Sequence, residues 1–153
     1  MKNVETMKNG EIKPALEAIR KISISSIKDK TVKSYLFGLS LCLLADNRRL
    51  TEKIEDIRTV ILGPVQESLE EIEKLRFELA RATDEAKRKE INEKIESHKE
   101  VIEPSVLFNR KVNELLQEDI KVDKIKREDF LAAVSDLEGI DFSVLEGLFP
   151  ILK

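Results

Sequence analysis

His98 is the single histidine of this chain and Cys42 its single cysteine. With thirty acidic residues, they are the side chains on which catalysis or metal binding would have to rest. A carboxylate-bridged di-metal bundle sets a glutamate three positions before each of two histidines. Position 95 is Ile95, and there is no second histidine. A nucleophilic pair would join Cys42, or one of the scattered serines, to His98 through an orienting group. Cys42 sits inside an apolar run, where a lone thiol behaves as a small buried hydrophobe, and His98 lies in a strongly charged stretch. Glu70, Glu71, Glu73, Glu90 and Glu93 fall in charged helical sequence, where solvated carboxylates keep ordinary proton affinities. Paired-carboxylate catalysis needs a cleft that perturbs one of them. The five glycines are dispersed, and none opens a helix in the spacing of a phosphate loop. No catalytic residue, cofactor or metal is expected, and the chain reads as a non-enzyme.

Bulk properties narrow the classes further. Charged residues make up 37% of the 153 positions yet nearly cancel, to a net charge of −3. A phosphate-backbone binder needs a surplus of Lys and Arg on one face. Here Arg48-Arg49, Lys87-Arg88-Lys89 and Lys124 with Lys126-Arg127 all have acidic neighbours, so no nucleic-acid partner is expected. The lone cysteine suits a reducing compartment. The opening MKNVETMKNGE lacks the apolar stretch of a leader. Tyr35–Ala45 (YLFGLSLCLLA) falls well short of the ~20 apolar residues of a membrane span. A soluble single domain without a membrane partner is the expectation.

The elements that would position any site are helical. Ile12, Leu16, Ile19 and Ile22 recur at helical spacing over Glu11–Ile22, with Pro14 near the first turn, where its missing N–H costs little. Ser23–Ile27 forms a connector, readable as a loop or a short strand. The main helix starts at Asp29 or Thr31 as cap and runs to Leu62, about 48 Å at 1.5 Å per residue. Leu36, Leu43, Leu50 and Ile57 repeat every seven residues, joined by Val32, Leu39, Ile54 and Ile61, a seam for another helix. Within Tyr35–Ala45 the apolar residues go all round, which calls for cover on every side. Gly63-Pro64 interrupts the pattern; Val65, Leu69, Ile72, Leu75, Leu79, Ala82 and Ala86 continue it, and Ile91, Ile95, His98 and Ile102 shift its phase. The hairpin turns at Gly63-Pro64, or kinks there and turns near Thr83, where Thr83-Asp84 can cap a new helix. The second alternative is favoured, because 69–82 then pairs with 86–102.

Pro104-Ser105 opens another helix through Val106, Phe108, Val112, Leu115 and Leu116, and Ile120 and Val122 alternate with charges as at most one short strand near 120–122. Two short helices follow: Phe130, Leu131, Val134 and Leu137, stopped by Gly139, then Val144, Leu145, Leu148 and Phe149 behind Asp141 or Ser143. The predicted fold class is all-α. A helical-bundle base is built from 9–50 and 105–153, with a long charged helical hairpin, a coiled-coil-like arm, over about 51–104. Leu36, Phe37, Leu43, Phe130, Leu145 and Phe149 are expected in the core. The seam residues Leu50, Ile54, Ile57, Ile61, Leu69, Ile72 and Leu79 are the candidate interaction site. A two-helix arm buries little area for its length, so a protein partner or self-association into a homo-oligomer is expected, against the alternative of a monomeric bundle with its arm folded back.

Three stretches resemble a group of small helical proteins encoded by bacteriophages and prophages. NGEIKPALEAIRKI (Asn9–Ile22) looks like that group's first helix, and Asn47 falls near the middle of the next, as theirs does. FNRKVNELLQEDIKVDKIKREDF (Phe108–Phe130) is the closest match, and DFSVLEGLFPIL resembles their closing capped helix. The likeness covers over half of the chain in packing patterns rather than reactive residues, and 64–104 lies outside it. It implies a phage or prophage origin and a structural or assembly role, cytoplasmic in a bacterial host or virion-associated, and carries over no catalytic residue. The alternative is a cytosolic adaptor or inhibitor that binds a host protein through the same hairpin.

Overall fold

The computed structural model describes residues 4–153. Met1–Asn3, the head of the segment read above for a leader, lie outside the described residues. Strand β1 (Thr6–Lys8) opens the chain, and helix α1 (Ile12–Arg20) follows a 3-10 turn in which the Lys8 N–H donates to Glu11 Oε1 at 2.8 Å. Ile12, Leu16, Ile19 and Ile22 are all buried, so the helical spacing marks the packed face. The serine-rich connector is a 3-10 turn at Ile24–Ser26, not a strand.

Helix α2 (Lys30–Leu62) starts where Asp29 Oδ1 accepts the N–H groups of Thr31 and Val32 at 2.9 and 3.2 Å. Those are amides that a helix cannot satisfy internally. Val32, Leu36, Leu39, Leu43 and Leu50 are buried along one side. Gly63–Val65 is a single 3-10 turn carrying Pro64, after which α3 (Gln66–Arg81) resumes. The chain reverses instead at 82–84. Helix α4 (Glu85–Ser97) begins behind Asp84, whose side chain accepts from the Ala86 N–H, and packs back on α3. Arg88 Nη1 donates to the Ala82 carbonyl at 3.1 Å across that reversal.

Helix α5 (Ile102–Leu116) takes Pro104 into its first turn, so it begins two residues earlier than the Pro104-Ser105 start expected. Strand β2 (Asp119–Lys121) pairs antiparallel with β1, Met7 opposite Ile120. The strand at 120–122 therefore has a partner that the sequence reading lacked. Asn9 anchors the end of this pair: its side-chain amide donates to the Leu115 carbonyl at 2.9 Å in a buried setting. Helices α6 (Arg127–Val134) and α7 (Phe142–Leu148) close the chain, the latter capped by Asp141 accepting from the Val144 N–H. Gly139, at φ +80, makes the turn between them. The protein is all-α, with seven α-helices and one two-stranded sheet among the described residues.

By its contacts the chain forms two compact units: residues up to Glu52 together with Glu114–Lys153, and Lys53–Asn113. The second takes in 105–113, which the sequence reading gave to the base. In the first unit, α1 lies directly on α7, and Gly147 is the point of closest approach. A Cβ there would meet the Pro14 carbonyl oxygen and the Ala18 Cβ, each at 2.9 Å. Phe130, Leu36, Leu43, Leu148 and Ile151 are fully enclosed in this unit. In the second, Ile72, Leu75 and Ile91 are the buried residues of the α3–α4 hairpin.

Three expectations about the core are corrected. Phe37 and Phe149 are exposed, and Cys42 is an exposed thiol. The all-round apolar block is covered on one side only. Leu36, Leu39 and Leu43 fill the available core, and Phe37, Leu41, Cys42 and Leu44 are left exposed. Phe149 instead meets Phe142 edge to face at 6.4 Å between ring centroids. Leu145 is half-buried.

Candidate interaction surface

One face of α2 in the first unit is apolar and bare. Phe37, Leu41 and Leu44 are 60%, 54% and 46% exposed, one above the other at i, i+4 and i+7. They lie opposite the buried series Leu36, Leu39 and Leu43. Beside this ridge runs a groove of about 440 Å³ lined by Ser34, Tyr35, Gly38, Cys42 and Asp46, with Lys121–Asp123 on its far wall. A Cβ built on Gly38 meets nothing within 4 Å, so the groove floor is open. The Tyr35 hydroxyl donates to the Asp123 carbonyl at 2.6 Å and ties the wall to the helix. Burial, then the charges of Asp123 and Glu5, push its pKa upward, so it serves as a neutral donor. Charge returns at the carboxy-terminal end of the face, where Arg48 reaches Glu52 at 3.5 Å.

The second unit carries its own apolar patch. Val60, Ile102 and Val106 are exposed, and with Ile61, Pro104 and Leu107 they line an open cleft of about 690 Å³ rimmed by Glu103 and Arg110. Arg58 stacks over the Phe108 ring at 4.9 Å. Glu100 accepts a hydrogen bond from Ser68 and lies 2.9 Å from His98 Nδ1. The Ser68 bond first, then His98, holds its pKa down to about 2. This links the end of α4 back to α3 and leaves His98 paired at the surface.

The sequence-predicted contact residues are distributed unevenly. Leu50 is buried in the first unit and Ile72 in the second. Ile54, Ile57 and Ile61 on α2, and Leu69 and Leu79 on α3, are half-buried. Of the seven, Ile61 reaches the cleft. What the sequence reading missed is the second stripe, Ser34, Phe37, Leu41, Leu44 and Arg48, spaced alternately by three and four residues. Its signal was present: a second helical seam running through the same apolar block. Among the described residues, no group of three or more His, Cys, Asp or Glu lies together in a way that could hold a metal ion. No helix of the described residues is long and apolar enough to cross a membrane. No family model, curated protein or solved structure matches the chain.

Proposed function

We propose that this chain is a non-enzymatic phage or prophage protein that acts in particle structure or assembly through protein–protein contacts. The observation that carries the contact role is the bare ridge Phe37–Leu41–Leu44 on α2. Contiguous exposed apolar surface of this kind, rimmed by charge, marks interaction sites in folded proteins. The phage setting rests on the likeness of Asn9–Ile22 and Phe108–Phe130 to small phage-encoded proteins. The contact surface moves with the structure: the ridge lies on the helix face opposite Leu50 and its series, whereas the half-buried Ile54, Ile57 and Ile61 have part of their surface already in use.

The test is fractionation of particles from producing cells on a density gradient, with the chain followed by antibody. The wild-type chain is expected to travel with particles or their precursors, and Leu41→Glu to remain at the top of the gradient. A wild-type chain found at the top throughout would sink the assembly reading.

A further inference from the structure

We propose that the exposed face of α2 pairs with the same face of a second copy of this chain, the two helices running antiparallel. The inference rests on the reading of α2 as a contact surface and names its occupant. The stripe Lys30, Ser34, Phe37, Leu41, Leu44, Arg48 and Thr51 has the alternating three- and four-residue steps of a helix–helix seam. All of it projects from one unbroken helix.

Charge selects the orientation. A parallel pair sets each stripe residue against itself, so Lys30 would face Lys30 and Arg48 would face Arg48, like charge on like charge at both ends. An antiparallel pair centred between Leu41 and Leu44 removes both clashes. Leu41 then packs on Leu44 of the second copy, twice by symmetry, in the middle of the seam. Phe37 receives Arg48 of the second copy over its ring, the favourable contact of a cation with an aromatic face. Arg48 is free to make it, since its side chain is 85% exposed and its present partner, Glu52, lies at the long distance of 3.5 Å.

Size selects the same arrangement. Beside the ridge stand Gly38 and Ala45, and the antiparallel register brings Gly38 of one copy next to Ala45 of the other. Small residues on that edge let the two helix backbones approach. The open floor at Gly38 admits the neighbouring ridge. The interface is self-complementary, as a two-fold interface must be. The stripe from Ser34 to Arg48 is about 21 Å long. One helix face of that length offers less than the ~800 Å² per partner of a standard interface, so the pair is a reversible dimer.

Sedimentation equilibrium of the full chain tests the pairing, and cysteine trapping tests its direction. The wild type is expected to form a concentration-dependent dimer, and Leu41→Glu to weaken it by about tenfold or more with unchanged helical circular dichroism. In a Cys42→Ser background, Phe37→Cys and Arg48→Cys are each expected to stay reduced alone under mild oxidation and to form a disulfide dimer when mixed. All these positions are exposed, so the variants retain the fold. A monomeric wild type, or Phe37→Cys cross-linked to itself, overturns the proposal. A monomer that still travels with particles sinks the pairing alone, and a dimer absent from particles sinks the assembly reading alone.

Discussion

Adding one methyl group has opposite consequences at two glycines of this chain. At Gly147 it meets the Pro14 carbonyl oxygen and the Ala18 Cβ at 2.9 Å, and a helical backbone carbonyl has no room to yield. Gly147→Ala is expected to push α1 off α7 and to lower stability by about 1–3 kcal/mol, the usual range for overpacking. Gly38 lies in the middle of α2 with open space where its Cβ would be. Gly38→Ala is expected to raise stability by about 0.5–1 kcal/mol through helix propensity alone. Urea unfolding of the two variants followed at the helical signal checks both signs, and equal shifts would contradict the geometry. Glu100 gives a titration of known direction. Its folded pKa of about 2 lies below the ordinary carboxylate value, so its contribution is present above that value. It is lost as pH falls from about 4.5 toward 2. Ser68→Ala removes the largest cause, and the Glu100 carboxyl is then expected to titrate nearer the ordinary range in a carbon-detected NMR titration. At this scale the sequence was legible where one periodicity decided burial, as at Leu36, Leu43 and Phe130. It misled at Phe37 and Cys42, because hydrophobicity states what a side chain prefers and not how much core exists to receive it.

The helices owe their limits to local chemistry that a sequence displays openly. Asp29, Asp84 and Asp141 each cap the helix that follows, and the α3–α4 reversal falls at 82–84. The sheet was harder to see. Three residues, Thr6-Met7-Lys8, pair with Asp119–Lys121 more than a hundred positions away, and no local pattern announces a partner at that separation. Helix α4 shows how little can hold an element. Ile91 is its one buried residue, and its remaining residues are exposed and mostly charged apart from the half-buried Ile95. Ile91→Ala is expected to cost about 2–4 kcal/mol as a large-to-small core change. The loss should appear first as faster amide exchange across Glu85–Ser97, with Asp84 unable to hold the helix by its cap alone. Unchanged protection in α4 would mean that its charged face, and not Ile91, anchors it.

The whole molecule was legible as all-α and as helices of these approximate lengths, because seven-residue repeats are strong signals. Less legible was the tie between the described amino-terminal residues and the carboxy terminus. Glu5 Oε1 lies 2.7 Å from Lys153 Nζ, and its other carboxylate oxygen accepts the Lys124 N–H at 2.7 Å. The Lys153 bond first, then the Lys124 amide, lowers the Glu5 pKa, so this tie is lost on acidification below the ordinary carboxylate range. Backbone bonds reinforce it: Ile125 N–H donates to the Ile151 carbonyl, Lys153 N–H to the Ile125 carbonyl, and Arg127 N–H to the Lys153 carbonyl, each at 2.9 Å. Ile151 and Leu152 are buried alongside. Removal of Pro150–Lys153 strips two buried aliphatic side chains, each worth about 1.5–3 kcal/mol, and orphans the Ile125 and Arg127 amides. The summed loss, about 3–6 kcal/mol, is a large part of the 5–15 kcal/mol typical of a folded domain. The truncated chain is therefore expected to melt at a markedly lower temperature, with exchange protection lost in α1 and α7. The double variant Ile151→Ala/Leu152→Ala, which keeps all three backbone bonds, should lose only the packing share. A truncation no more harmful than that double variant would show that the backbone pairing adds nothing, and that the terminal residues hold the first unit together by burial alone.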